Sequence, residues 1–248
     1  FDGLIPQERI RVFEVPGPTA EIDPANAWRA RAAERIREAF LADLRPDIVH
    51  ISSLFEGLGD DVVTSVGEFE RAGVTSVTLY DLIPYLNQDM YLADDRVRKW
   101  YFRKLQALKN ADLLLANSES SRREAIEHLR LPADRVVNVS AGLDPSFRPV
   151  SLRPEERKEL LRRYGLEEPF ILYTCVYDRR KNVEGLIHAF SLLPEYLRAR
   201  FRLALAGTIQ EPYSRKLKQV AARLGLPAEK VIFTGFVPDE DLVLLCNL

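Results

Sequence analysis

The chain has 248 residues, of which 46% are hydrophobic, 29% charged and 9% aromatic, proportions that exclude disordered, collagen-like and coiled-coil proteins and fit one large or two modest globular domains. Lysine and arginine total 35 against 37 for aspartate and glutamate, a formal net charge of -2. That balance removes the electrostatic basis for a protein that coats nucleic acid, so no nucleic-acid partner is expected.

Residues 11–15 alternate like a strand, which the Pro/Gly-rich residues 16–18 end. Asp23 can cap a helix with Pro24 in its first position; Ala27, Ala30, Ile36, Ala39, Phe40 and Leu44 supply one apolar face, and Pro46 stops it. Residues 47–53 read as a buried strand, 62–72 as a helix, 74–80 as a strand and 96–110 as a helix. A strand over 112–116 follows. The capping box Ser121 to Glu124 then opens a helix that runs to about 129, before a strand over 135–139. This alternation predicts a parallel α/β layout.

Three prolines between residues 144 and 154 interrupt the pattern and set a domain boundary, with one domain over residues 1–149 and a second over 150–248. In the second, Pro154 opens a helix that Gly165 closes. Strands are expected over 170–176, 201–206 and 231–236, and helices over 183–193, about 212–224, and from 238 onward. Two Rossmann-like units in tandem follow. Neither carries Gly-x-Gly-x-x-Gly or a P-loop, so a classical dehydrogenase or P-loop NTPase lacks its phosphate cradle. Phe1 opens the chain, Met90 is its only methionine, and residues 242–248 stop inside an apolar helical pattern, so the chain reads as a fragment with both units incomplete. Exposed apolar sheet edges and poor solubility are expected to follow.

Cys175 and Cys246 are too few for a disulfide framework and lack metal-ligand spacing, which fits a reducing, cytoplasmic location. No uncharged apolar run approaches the roughly 18 residues that span a bilayer, and the first residues do not read as a signal peptide. The most informative stretch is 173–190. A buried strand ends, the bases Arg179, Arg180 and Lys181 follow, and Asn182 can cap a helix whose apolar face is Val183, Leu186, Ile187, Phe190 and Leu193. At the carboxyl end of a parallel strand, a helix N-terminus beside three cations suits an anion such as a diphosphate. The alternative is a solvated basic loop.

Five blocks occur in order: Tyr80-Asp81-Leu82-Ile83-Pro84; Ala116-Asn117-Ser118-Glu119-Ser120-Ser121; Gly142-Leu143-Asp144-Pro145-Ser146-Phe147-Arg148-Pro149; Arg180-Lys181-Asn182 with Gly185-Leu186-Ile187-His188-Ala189-Phe190; and Ala206-Gly207 followed by Phe233-Thr234-Gly235-Phe236-Val237. In these blocks the sequence resembles the GT-B glycosyltransferases of family 4, a large retaining group that uses nucleotide sugars. The resemblance runs from about Asp47 to the end and is strongest toward mannosyltransferase-like members that build bacterial polysaccharides. It implies an N-terminal acceptor-side domain and a C-terminal donor domain, with Arg180 and Lys181 stabilising the leaving diphosphate. Arg179, Asn182, Gly207, Thr208, Phe236 and Val237 would lie around the donor, with Phe236 and Val237 near the nucleobase. One common family pattern, Gly-Arg before the loop, is replaced here by Cys175-Val176, so the anchoring arginine is Arg179 or Arg180.

Tyr80-Asp81 stands where many members have His-Asp facing the cleft. Tyrosine is a poor general base, its unperturbed pKa being about 10, which fits front-face attack with the leaving phosphate accepting the acceptor's proton. Tyr80 could equally pack as a strand end and Asp81 cap a turn. Asn117 and Ser118 are a second pair expected on the acceptor side, or plain cap residues. Glu56 and Gly57, after the first strand, form a candidate acceptor loop or a turn. Gly207 and Thr208 permit close backbone approach to a ligand, or form a strand-end turn.

The resemblance implies transfer of a hexose, mannose from GDP-mannose, onto a growing polysaccharide or lipid-linked glycan, with no metal and no resident cofactor. A first strand with its glycine-rich loop would precede Phe1 and a paired-glutamate motif would follow Leu248. The alternatives are a non-catalytic nucleotide-sugar or glycan-binding scaffold and a nucleotide-sugar epimerase. In the helix over 96–110, Arg96, Arg98, Lys99, Arg103 and Lys104 beside Trp100, Tyr101 and Phe102 can bind an anionic membrane surface, giving a peripheral contact at the inner face of the cell membrane. The other reading makes Val97, Tyr101, Leu105 and Leu108 a core stripe with the bases solvated. His50, His128 and His188 form no metal constellation and are assigned no chemistry.

Overall fold

A computed structural model describes residues 5–174 and 178–248, with the side chain of residue 179 outside that description. The chain divides into two units, residues 1–142 and 143–248; the prolines had placed the break at 149/150. Each unit carries its own parallel sheet.

In unit 1 a short 3-10 turn, capped by Asp23 through the Ala25 N–H at 3.0 Å, leads into α1 (Ala27–Leu44). Then come β1 (Ile48–Ile51), β2 (Val74–Leu79), α2 (Ile83–Leu86), α3 (Gln88–Tyr91), α4 (Asp95–Lys109), β3 (Leu113–Ala116), α5 (Glu119–Leu129) and β4 (Val136–Asn138). The strands lie in the order β1-β2-β3-β4, all parallel. Alternate strand residues Ile51, Val77, Leu79, Leu114, Ala116 and Val136 pack with Tyr101, Leu105 and Leu108 of α4 and Ala125 and Leu129 of α5, the period-two face of a sheet meeting helical stripes.

The structure corrects several expectations here. Residues 11–15 form no strand, and Val12 is exposed. The buried face of α1 is Ala30, Ala33, Glu34 and Glu38, whereas Ala27, Ile36, Ala39 and Leu44 are exposed and Phe40 is half-buried against Phe13. Residues 47–53 are not a buried strand: β1 is an edge strand, with Ile48 and His50 exposed and only Ile51 buried. Residues 62–72 form no helix. Their backbone is held instead by side chains from α1 and α4: the Glu38 carboxylate accepts the N–H groups of Glu68, Phe69 and Glu70 at 3.0, 2.6 and 2.8 Å. The Lys104 ammonium donates to the carbonyl and hydroxyl oxygens of Thr64 at 2.7 Å each. Gly67, at φ 50°, takes the left-handed conformation that breaks a helix.

Lys104 is therefore buried, not on a solvated face, at 2% exposure. Desolvation lowers its pKa to about 8, opposed by the nearby Glu34 carboxylate. Arg103 beside it donates to Glu34 at 2.6 Å and to Glu21. Finally, α5 starts three residues earlier than its Ser121 box implies, because Ser118 is the N-cap, its hydroxyl accepting the Ser121 N–H at 3.1 Å.

Unit 2 comprises α6 (Pro154–Tyr164), β5 (Phe170–Thr174), a 3-10 turn (Arg179–Lys181), α7 (Val183–Ser191), α8 (Glu195–Arg200), β6 (Arg202–Ala206), α9 (Tyr213–Arg223), β7 (Val231–Gly235) and α10 (Asp239–Leu245). Gly165, at φ 62°, closes α6, and the Leu166 N–H reaches back to the Leu161 carbonyl. The strand order is β5-β6-β7, all parallel. Central β6 is buried on both sides: Leu203 and Leu205 pack with α7 and α9, Ala204 and Ala206 with α6 and α10. Helix α8 has no counterpart in the sequence reading. The apolar pattern over 242–248 does not stay helical to Leu248: α10 ends at Leu245, and Asn247 accepts the Val150 N–H at 2.9 Å while donating to the Val243 carbonyl at 2.8 Å.

Candidate functional site

The carboxyl ends of β5, β6 and β7 come level in unit 2. Thr174 is in register with Ala206, and a shift between Leu205 and Ala206 brings Ala206 opposite Gly235. Beyond it the Gly207 N–H donates to the Gly235 carbonyl at 2.9 Å, with Gly207 at φ 135°, a backbone that side chains resist. Above these ends lies a cavity of about 630 Å³ lined by Thr174, Asp178, Arg180, Lys181, Ala206, Gly207, Thr208, Phe236, Val237 and Leu242.

One turn of chain supplies the cations. Asp178 starts it: its Oδ1 accepts the Arg180 N–H at 2.9 Å, its Oδ2 accepts the Arg180 Nε–H at 2.8 Å, and its carbonyl accepts the Lys181 N–H at 2.9 Å. The Tyr173 hydroxyl holds the far end by donating to the Lys181 carbonyl at 2.9 Å. Asn182 then turns left-handed, at φ 49°, and its Oδ1 accepts the Gly185 N–H at 3.2 Å, capping α7. A Cβ at residue 185 would lie 2.5 Å from the Asn182 side chain, so glycine is what lets the cap form. Inward-facing Val183, Ile187 and Phe190 anchor α7 on the sheet. Val237 is buried, while Phe236 beside it is 74% exposed, a free aromatic face at the cavity.

In unit 1 the residues expected on the acceptor side follow β1, β2 and β3. The Tyr80 side chain is 55% exposed, and its carbonyl accepts the Ser121 hydroxyl at 2.7 Å. That hydroxyl also lies 3.1 Å from Asn117 Oδ1 and 3.0 Å from the Ser118 hydroxyl. Ser121 thus joins the ends of β2 and β3, a role its reading as a cap did not anticipate. Asp81 accepts the Ile83 N–H at 3.0 Å and so caps a turn. Glu56 accepts the Ser53 hydroxyl at 2.5 Å. Gly57, at φ 87°, shapes a turn whose carbonyl accepts the Glu21 N–H at 3.0 Å.

Trp100, Tyr101 and Phe102 of α4 pack on the core, with Phe55 stacked on Tyr101 at 4.9 Å and Tyr85 edge-on to Phe102 at 5.9 Å. Arg96, Arg98 and Arg103 pair with Asp94, Asp95 and Glu34, so the membrane alternative gains no support from this helix. His50 lies 2.9 Å from the Ser76 hydroxyl and 3.2 Å from that of Thr78. Among the described residues, no helix is long and apolar enough to cross a membrane.

The family model for glycosyltransferase family 4 matches residues 1–147, and that for glycosyl transferases group 1 matches residues 154–247. The chain belongs to glycosyltransferase family 4. The serotype-specific mannosyltransferase WbdA of Escherichia coli is 36% identical over 248 residues, all of this chain and 30% of that protein. The O-antigen chain mannosyltransferase B of the same organism is 32% identical over 170 residues, 67% of this chain and 43% of that protein. The family 4 chain thus spans less than half the length of these curated relatives. Among solved structures it is similar to WaaG, a glycosyltransferase involved in lipopolysaccharide biosynthesis, with a TM-score of 0.60 at 20% identity over 93% of this chain and 58% of that one. It is also similar to Anabaena HepE in complex with UDP and glucose, with a TM-score of 0.56 at 18% identity over 92% and 55%. At such identities the likeness is one of fold, the GT-B arrangement of parallel α/β units.

In this family 4 chain the cavity brings together six of the eight residues expected at the donor: Arg180, Lys181, Gly207, Thr208, Phe236 and Val237. Asn182 stands behind them as a cap. The Arg179 side chain and the Cys175-Val176 departure lie outside the described residues. Thr174 and Asp178 line the cavity without having been anticipated. For Asp178 the signal was present, since Asp two residues before a turn's N–H is an Asx-turn pattern.

Proposed function

We propose that the chain carries the donor site and the acceptor-side strand ends of a retaining glycosyltransferase that moves a hexose, mannose from GDP-mannose, onto a growing polysaccharide or lipid-linked glycan. The observation that carries this reading is the gathering of two cations, a close-approach glycine, a hydroxyl and an exposed ring in one cavity at the carboxyl ends of parallel strands. Similarity to WbdA over the whole of this chain, 30% of that protein, supports mannose as the sugar.

The chemistry follows from charge development. Cleaving the bond between sugar and nucleotide places negative charge on a diphosphate oxygen as the sugar becomes oxocarbenium-like. Arg180 and Lys181, fixed beside that oxygen, stabilise the transition state more than the ground state. In this reading they supply the cationic stabilisation, and no metal or resident cofactor is invoked. The leaving phosphate accepts the acceptor's proton, so Tyr80 needs only to donate a hydrogen bond. Gly207 lets the main chain approach the donor, Thr208 offers a hydroxyl, and Phe236 stacks on the base with the Val237 backbone beside it. Glu56, Gly57, Asp81, Asn117 and Ser118 sit on the acceptor side. A nucleotide-sugar donor places the work in the cytoplasm.

Titration calorimetry of the chain with GDP, UDP, ADP and their sugars tests this. GDP and GDP-mannose are expected to bind, and Lys181→Ala to weaken them at least about tenfold, the scale of a lost charge-assisted hydrogen bond, with thermal unfolding unchanged because Lys181 is exposed. Silence across the panel would overturn the donor site and favour the scaffold reading.

A further inference from the structure

We infer that Asp178 is a positioning residue for the donor's diphosphate, acting through Arg180. This rests on the donor-site reading above. A carboxylate lining a cavity that receives an anion repels it, so its presence calls for a compensating role, and the geometry supplies one. Asp178 grips Arg180 twice, at the backbone N–H (2.9 Å) and at Nε (2.8 Å), and it takes the Lys181 N–H on its own carbonyl (2.9 Å). Fixing Nε fixes the plane of the guanidinium and the aim of its terminal nitrogens. Arginine otherwise loses several rotatable bonds' worth of freedom when it engages a ligand, and a side chain already ordered loses less. The second grip, at the backbone, belongs to the turn itself. Asp178 therefore combines two separable functions: an Asx-turn acceptor, which asparagine can replace, and a carboxylate partner for Nε, which asparagine cannot.

Three variants separate them: Asp178→Asn, Asp178→Glu, and Asp178→Asn combined with Arg180→Ala, each titrated with GDP, UDP and ADP and compared with Arg180→Ala alone. Asp178→Asn keeps the turn and is expected to weaken nucleoside diphosphate binding about fivefold, the scale of ordering one long side chain on binding. Asp178→Glu restores a carboxylate at the expense of the turn and is expected to bind better than Asp178→Asn. In the Arg180→Ala background, Asp178→Asn is expected to change nothing further.

Unchanged or tighter binding by Asp178→Asn would mean that the carboxylate only offsets charge, and would overturn the inference. So would a ranking with asparagine above glutamate, which marks a turn cap alone, or an equal loss in the Arg180→Ala background. If the unaltered chain binds none of the three nucleotides, the donor site itself fails and the inference with it. If it binds one and the variants rank otherwise, the donor site stands and only the role of Asp178 falls.

Discussion

Unit 1 buries Glu34, Glu38 and Lys104 together with Thr19, Asn26, Thr64, Ser65, Thr75, Ser76 and Ser121, whereas among the described residues Ser214 is the one buried polar side chain of unit 2. Both units are parallel sheets with helices, so fold class does not account for the contrast. The crossovers do. In unit 2 the chain returns from β5 to β6 through α7 and α8, and from β6 to β7 through α9, helices that satisfy their own backbone groups. In unit 1 the path from β1 to β2, residues 52–73, contains no helix, and its backbone groups find partners on Glu38 and Lys104 instead. Two of the three buried charges, Glu38 and Lys104, thus hold main chain that has no regular structure, the third, Glu34, pairs with Arg31 and Arg103, and each is matched by hydrogen bonds.

The contrast can be tested from its strongest element down. Glu38→Ala leaves three N–H groups without their acceptor and should destabilise unit 1 by about 3–5 kcal/mol, the scale for breaking a buried charged network. Both tryptophans, Trp28 and Trp100, lie in unit 1, so their fluorescence in a denaturant titration reads that unit directly; a loss under about 1 kcal/mol would mean that the clamp is unimportant. In unit 2, where packing is apolar, Ile187→Ala removes a side chain of 0% exposure and should cost about 3 kcal/mol by far-UV circular dichroism. A near-neutral result there would show a core loose enough to collapse around the gap.

The smallest effect is a pH dependence. The Lys104 ammonium, lowered to about 8 by desolvation, gives up its proton more readily in the folded state than in the unfolded chain. Below pH 8 both states are protonated and the burial penalty is present in full. From pH 8 to 10 the unfolded chain binds more protons, so stability should rise, by up to about 2 kcal/mol. Above pH 10 the trend reverses as the Tyr101 hydroxyl, whose pKa burial raises, resists ionisation in the folded state. Lys104→Met should flatten the rise seen by tryptophan fluorescence; a rise that survives the substitution has another source.

The same contrast governs what the sequence made legible. Most of unit 2 was readable because its signals are local: Pro154 and Gly165 bracket α6, Asn182 caps α7, and the helical faces keep their period. Only six-residue α8 escaped, too short for a period to register. In unit 1, Val62, Val66 and Phe69 imitate helical spacing, and nothing nearby in sequence announces that Glu38, some thirty residues earlier, will take over the backbone. Lys104 was read as solvated for the same reason, since its partner Thr64 is distant in sequence. The cavity of unit 2 was legible because cations, cap and glycines all fall at strand ends, positions the alternating pattern fixes. The bond from Arg180 Nε to Asp178 was not, because a carboxylate among bases looks like surface charge until its partner is seen, although the Asx turn itself had a local signal.

The Glu38 clamp has a further consequence for how this chain can vary. It reads main chain only, and at residues 68–70 its requirement is met by any residue that has an N–H, which excludes proline alone. Substitution at those three positions is therefore tolerated as far as this bond set is concerned, while the course of the chain through them is written at one distant position. A mutational scan across unit 1 should find positions 68–70 permissive and their fastening point on α1 unforgiving.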